Sequence, residues 1–96
     1  MKKLTGVKIT FNVSKCDYFN HWVDYDFIQY YDEPITIRKL VKLAHNKLSE
    51  YTYGIARVYL GVDQIASITN NGDDIKESLT DFGKKLSGKN KEYWLW

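Results

Sequence analysis

Covalent chemistry and membrane insertion have little to work with in this chain. There is one cysteine, Cys16, and one proline, Pro34. A lone thiol cannot close an internal disulfide, and without partners it cannot hold a metal. No run approaches the roughly 18 consecutive apolar residues that a membrane helix needs. The opening Met1-Lys2-Lys3-Leu4-Thr5-Gly6 leads into an alternating pattern with no apolar signal segment, so a cytoplasmic protein is expected. An excess of one charge is missing too. Fourteen basic against twelve acidic side chains leave +2, too little to argue nucleic-acid binding from the total. The chain has no G-x-x-x-x-G-K-[ST], no G-x-G-x-x-G and no G-x-S-x-G, hence no signature of a phosphate-cradling loop or a nucleophile elbow. Neither an enzyme nor a cofactor is expected.

What the chain does have is rings and periodicity. Aromatic residues make up 16% of the sequence, mainly through eight tyrosines, and 96 residues suffice for a single domain, residues 1–96. Val7, Ile9, Phe11 and Val13 alternate with Lys8, Thr10 and Asn12, which predicts a strand with one wet face. Residues 14–20 suit a turn. Val23, Tyr25 and Phe27 then alternate with Asp24 and Asp26, so the first two strands should form an antiparallel hairpin.

Past Pro34, Thr36 is placed as the N-cap of a helix over residues 37–50, with the acidic Asp32-Glu33 approach suiting the helix dipole. Ile37, Leu40, Val41, Ala44, Leu48 and Tyr51 supply one apolar stripe of helical period. Residues 55–60 read as a third strand and 64–68 as a short fourth. Asn70-Asn71-Gly72-Asp73-Asp74 marks a turn, residues 75–82 a connector with about one helical turn, and Glu92 to Trp96 a closing strand. This order is that of an α+β domain with one sheet face packed on one helix.

Ser78-Leu79-Thr80-Asp81-Phe82-Gly83 resembles the Leu-Ser-Asp-Tyr-type turn before the last strand of ubiquitin-like domains, and Thr36-Ile37-Arg38-Lys39-Leu40-Val41 is similar to the start of their single helix. Val7 to Asn12, Pro34 to Val41, and Leu79 to Gly83 with Gly88 resemble the YukD/EsaB-like group, small bacterial ubiquitin-fold proteins associated with type VII (WXG100) secretion loci. The resemblance implies a β-grasp: a mixed sheet of four to five strands on one helix, with the last strand inserted beside the first. It also implies a protein partner, with secretion machinery as a candidate, and an accessory or regulatory role. Longer stretches at Lys15 to Trp22 and Asn70 to Lys76, and an aromatic last strand, depart from the pattern.

In that arrangement Tyr93 and Leu95 would share one face of the closing strand, and Trp94 and Trp96 the other. The outer pair would dominate an interface on the open sheet face. The candidate partner-binding residues are Trp94 and Trp96 with Lys8, Arg57 and Lys91. The Gly-Gly tail of ubiquitin and the sulfur carriers has no counterpart in Leu95-Trp96, which argues against conjugation.

Other residues carry weaker signals. His21, His45 and Cys16 lack ligand spacing. Asp24 and Asp26 share a strand face and could bind a cation, but alternate acids more often form a solvated face. Arg38, Lys39, Lys42 and Lys47 line the helix, and Lys84, Lys85, Lys89 and Lys91 crowd the last strand near the tryptophans. Lysines among aromatics also suit single-stranded nucleic acid, so a nucleic-acid-binding domain is one alternative. A small phage or mobile-element inhibitor or accessory protein is another.

Overall fold

A computed structural model of the chain describes residues 6–16, 19–31 and 35–87. The alternating residues form β1 (Val7–Cys16) and β2 (Trp22–Tyr31), an antiparallel pair in register from Val7 opposite Tyr31 to Cys16 opposite Trp22. Helix α1 (Ile37–Leu48) follows, then β3 (Tyr53–Leu60), β4 (Asp63–Asn70), β5 (Ile75–Leu79) and α2 (Asp81–Ser87). The five strands make one sheet in the order β2-β1-β3-β4-β5. The architecture is α+β, as expected.

The sheet differs from the expected one in its pairing. All four strand pairs among the described residues are antiparallel, so no mixed sheet forms there. β1 is hydrogen-bonded by β2 on one side and by β3 on the other. The place beside β1 that a β-grasp gives its last strand is therefore filled by β3, with Val7 opposite Leu60 and Ser14 opposite Tyr53. Residues 75–82, expected as a connector, instead form β5 and enter α2.

Helix α1 exists because Thr36 starts it and the sheet covers its stripe. The Thr36 hydroxyl oxygen accepts from the Lys39 N–H at 3.2 Å, taking one of the orphan donors of the first turn. Ile37, Leu40, Val41, Ala44 and Leu48 are fully buried against Val7, Ile9, Phe11, Val13, Ala56, Val58, Ile65, Ala66 and Ile68. At the other end, Asn70 reaches from β4 and donates through Nδ2 to the carbonyls of Leu48 and Tyr51, both at 3.0 Å. It is the only buried polar side chain among the described residues.

Two contacts fix which way α1 faces. On one flank Lys47 Nζ sits 5.7 Å from the centre of the Phe27 ring on β2, and Phe27 in turn stacks on Phe11 at 4.7 Å. On the other flank His45 Nδ1 lies 2.8 Å from Glu77 Oε1 on β5. Tyr31, on the helix side of β2, donates its hydroxyl to Gln29 Oε1 at 3.1 Å, and burial pushes its pKa up.

β4 carries a bulge where it turns toward α2. Val58 pairs with Ala66 and Tyr59 with Gln64, leaving Ile65 as the extra residue, and both Ile65 and Ala66 are fully buried. Thr80 ties α2 to this bulge. Its N–H donates to the Ile65 carbonyl at 3.0 Å, and its hydroxyl donates to the Gln64 carbonyl at 2.6 Å while accepting from Gly83 N–H at 3.1 Å. Leu79 packs against the core, while Asp81 is exposed and Thr80 makes the closing bonds. Gly83 is buried so close to β4 that a Cβ there would stand 2.0 Å from the Ile65 carbonyl oxygen. No helix among the described residues is long and apolar enough to cross a membrane.

Candidate interaction face

Strand alternation sends every second residue to the side of the sheet away from α1. On β1 these are Lys8, Thr10, Asn12 and Ser14. The register sets Tyr30, Ile28, Asp26 and Asp24 of β2 opposite them on one side, and Tyr59, Arg57, Ile55 and Tyr53 of β3 on the other. Ser67 and Thr69 of β4 and Ser78 and Lys76 of β5 extend the same rows. Four large apolar or aromatic side chains are exposed on this face: Trp22 is 53% exposed, Ile28 48%, Tyr30 69% and Tyr53 45%. Their rings are arranged rather than scattered, since Trp22 and Tyr53 lie 5.2 Å apart across the end of the face.

The face has two electrostatic halves. Lys8 Nζ is 5.3 Å from the centre of the Tyr59 ring, a cation–π distance, and Arg57 sits one row away, opposite Thr10. At the other end Asp26 accepts from the Asn12 amide and Asp24 from the Ser14 hydroxyl. These cross-strand bonds from neutral donors hold both carboxylates in place and leave their charge for a partner. The acids therefore belong to an ordered surface. No group of three or more His, Cys, Asp or Glu among the described residues could hold a metal ion.

Of the five residues expected to bind a partner, Lys8 and Arg57 come together on this face. Trp94, Trp96 and Lys91 lie outside the described residues. Comparison with family models, curated proteins and solved structures finds no match to this chain.

Reading the sequence missed Trp22, Ile28, Tyr30 and Tyr53. The sequence pattern places Trp22 in the loop and ends the second strand at Phe27, whereas β2 starts at Trp22 and runs on to Tyr31. The signal was present in the parity of Asp24-Asp26-Ile28-Tyr30, where the wet face of the strand turns apolar halfway along. Of the two histidines, His45 is engaged by Glu77, while His21 lies beside Phe19, with ring centres 6.2 Å apart.

Proposed function

We propose that this chain is a non-catalytic, non-conjugating module that binds a protein partner through the sheet face opposite α1. One observation carries the reading: the open face of the five-stranded sheet exposes Trp22 and Tyr53, in ring contact at one end, and Ile28 and Tyr30 beside Lys8 and Arg57 at the other, with Asp24 and Asp26 between the two pairs. Large rings at low conformational cost beside fixed charges are the composition of binding hot spots.

The finer setting is the ubiquitin-like one. An accessory role in type VII secretion follows from the resemblance of Val7 to Asn12, Pro34 to Val41 and Leu79 to Gly83. The order strand, strand, helix, strand supports it. The antiparallel pairing of β3 directly to β1 departs from a β-grasp.

The test is capture of the partner from lysate by the wild-type chain and by three variants. Ile28→Asp and the pair Lys8→Glu with Arg57→Glu should each lose the partner while the chain stays folded, since Ile28 is exposed and Lys8 and Arg57 are partly exposed outside the core. Lys39→Glu, on the exposed side of α1, should retain it. The captured protein should survive nuclease and high salt. Equal capture by all variants would refute the reading, and recovery of nucleic acid alone, lost as salt rises, would replace it.

A further inference from the structure

The sheet face away from α1 is charged in two places that do not meet within one chain. Lys8 stands at the start of β1 with Tyr30 and Tyr59 opposite it, and Arg57 lies one row further along, opposite Thr10. Asp26 and Asp24 follow on β2, opposite Asn12 and Ser14, about 14 and 20 Å along the strands from Lys8 at the usual rise of an antiparallel pair. Among the described residues none of these four side chains makes an ion pair. Lys8 rests over the Tyr59 ring, and the two carboxylates accept from the neutral Asn12 and Ser14 side chains. The cations therefore lie on one side of a line drawn across the strands between Thr10 and Asn12, and the acids on the other.

Such a pattern is its own complement. A two-fold axis along that line lays a second copy face down on the first and reverses the strand direction. The Lys8 row then falls on the Asp24 row of the other copy, and the Arg57 row on the Asp26 row. The same operation brings Tyr53 of one copy onto Tyr59 of the other, while Lys76, at the far side of the face on β5, comes onto Ser78 and stays at the rim. The centre is low enough for close contact, because Thr10, Asn12 and Ser14 carry short side chains, and sheets packed face to face stand about 10 Å apart. The face is also large enough. The ten residues of β1 and the five strands of the sheet span roughly 30 by 24 Å, on the order of 700 Å², against about 800 Å² from each partner in a standard interface.

We propose that a second copy of this chain docks on this face about a two-fold axis, with Lys8 and Arg57 of each copy against Asp24 and Asp26 of the other. The proposal rests on the reading that the face binds a protein, and it names that protein. Charges of both signs select against a partner of one sign. An acidic surface would meet Asp24 and Asp26, and a basic one Lys8 and Arg57, with like charges brought together in either case. An apolar surface would cover all four without a counter-charge, which costs desolvation. In the two-fold arrangement each covered charge gains an opposite one. A contact of this symmetry also closes on itself, so assembly stops at two copies.

The test is sedimentation equilibrium of the purified full chain, with circular dichroism to check that each variant is folded. The wild type should be a dimer at micromolar concentration. Lys8→Glu with Arg57→Glu, and Asp24→Lys with Asp26→Lys, should each weaken the dimer by at least about a hundredfold, because each face then opposes a copy of its own sign. Mixed in equal amounts the two variants should pair again, to within about tenfold of the wild-type affinity. Rescue by mixing is a result that a folding defect in either variant could not produce. Asp24→Asn with Asp26→Asn keeps an acceptor for Asn12 and Ser14 and should still weaken the dimer by at least about tenfold. A wild type that stays monomeric at millimolar concentration would overturn the proposal. So would a dimer that none of the variants weakens, a mixture no tighter than its components, or assembly beyond two copies. A monomer that captures a different protein in an Ile28-dependent way would leave the face a docking site and overturn the second copy alone, whereas a monomer whose capture no variant alters would overturn both readings.

Discussion

Asn70→Ala should unfasten α1 from the sheet, and the cost can be worked from its bonds. The Asn70 side chain is 8% exposed and holds three partners: the carbonyls of Leu48 and Tyr51 through Nδ2, and the Gly72 N–H through Oδ1. The partners differ in what they lose. Leu48 keeps the N–H of Tyr51 at 3.0 Å, and exposed Gly72 can turn to water. The Tyr51 carbonyl loses its donor in a partly buried place. Stranding a polar group costs about 1–3 kcal/mol, and the surplus bond to Leu48 adds about 1 kcal/mol, so the loss should be about 2–4 kcal/mol. A chain of this size has roughly 5–14 kcal/mol in hand, and the melting temperature should fall by on the order of 10–30 °C. Urea denaturation followed by far-ultraviolet circular dichroism measures it. The neighbouring Asn71 supplies the control, because it is exposed and only caps a turn through Asp73 and Asp74 N–H. Asn71→Ala should cost less than about 1 kcal/mol. If Asn70→Ala stays within about 0.5 kcal/mol of wild type, or costs less than Asn71→Ala, the amide is not what holds the helix end.

Other outcomes follow from single contacts. Gly83→Ala drives a Cβ into the Ile65 carbonyl oxygen and should displace α2 from β4 at a cost of about 3 kcal/mol. Gly61→Ala meets open space, and with φ at 64° it should cost only about 1–2 kcal/mol. Urea midpoints of the two variants decide the order. In an ultraviolet titration Tyr31 should ionise above the ordinary tyrosine value, and Tyr31→Phe should remove that late step. Its folded pKa is raised, so its contribution to stability is complete below the ordinary tyrosine value and is lost as pH climbs through the folded one. A Tyr31 signal at the ordinary tyrosine value would show the hydroxyl to be solvated.

Much of this was legible wherever one face of an element is wet. Val7 to Val13 alternates cleanly because β1 has a covered and an open face, and the stripe from Ile37 to Leu48 is regular because the sheet covers only one side of α1. The Thr36 cap could be read from the residue type alone. β5 could not: Ile75-Lys76-Glu77-Ser78-Leu79 is short and half polar, as edge strands are, and local pattern does not separate it from a loop. Pairing was also hidden, since nothing local in β3 says which strand it joins, and the ubiquitin-like resemblance placed the chain's end beside β1 instead. Asn70 read as the start of a turn because asparagine is a turn residue. Its burial depends on where Leu48 ends a helix more than twenty residues earlier. The outer-face site was half visible through Lys8 and Arg57. Its apolar members fall outside the expected strands: Ile28 and Tyr30 past the expected end of β2, Trp22 before its start, and Tyr53 before the start of β3.

The seam between β1 and β3 has a consequence for how the chain assembles. The β1–β2 hairpin and the β3–β4–β5 meander are each built from near neighbours and can form by local closure. The two are stitched along a seam that runs from Ser14 opposite Tyr53 to Val7 opposite Leu60, strands separated in the chain by α1 and its flanks. Closing so long a loop costs entropy before the seam returns any hydrogen bonds. The slow event should therefore be the meeting of two preformed halves, with α1 settling as they join. During synthesis the hairpin, complete at Tyr31, waits for its partner strand with the Val7-Ile9-Phe11-Val13 row uncovered.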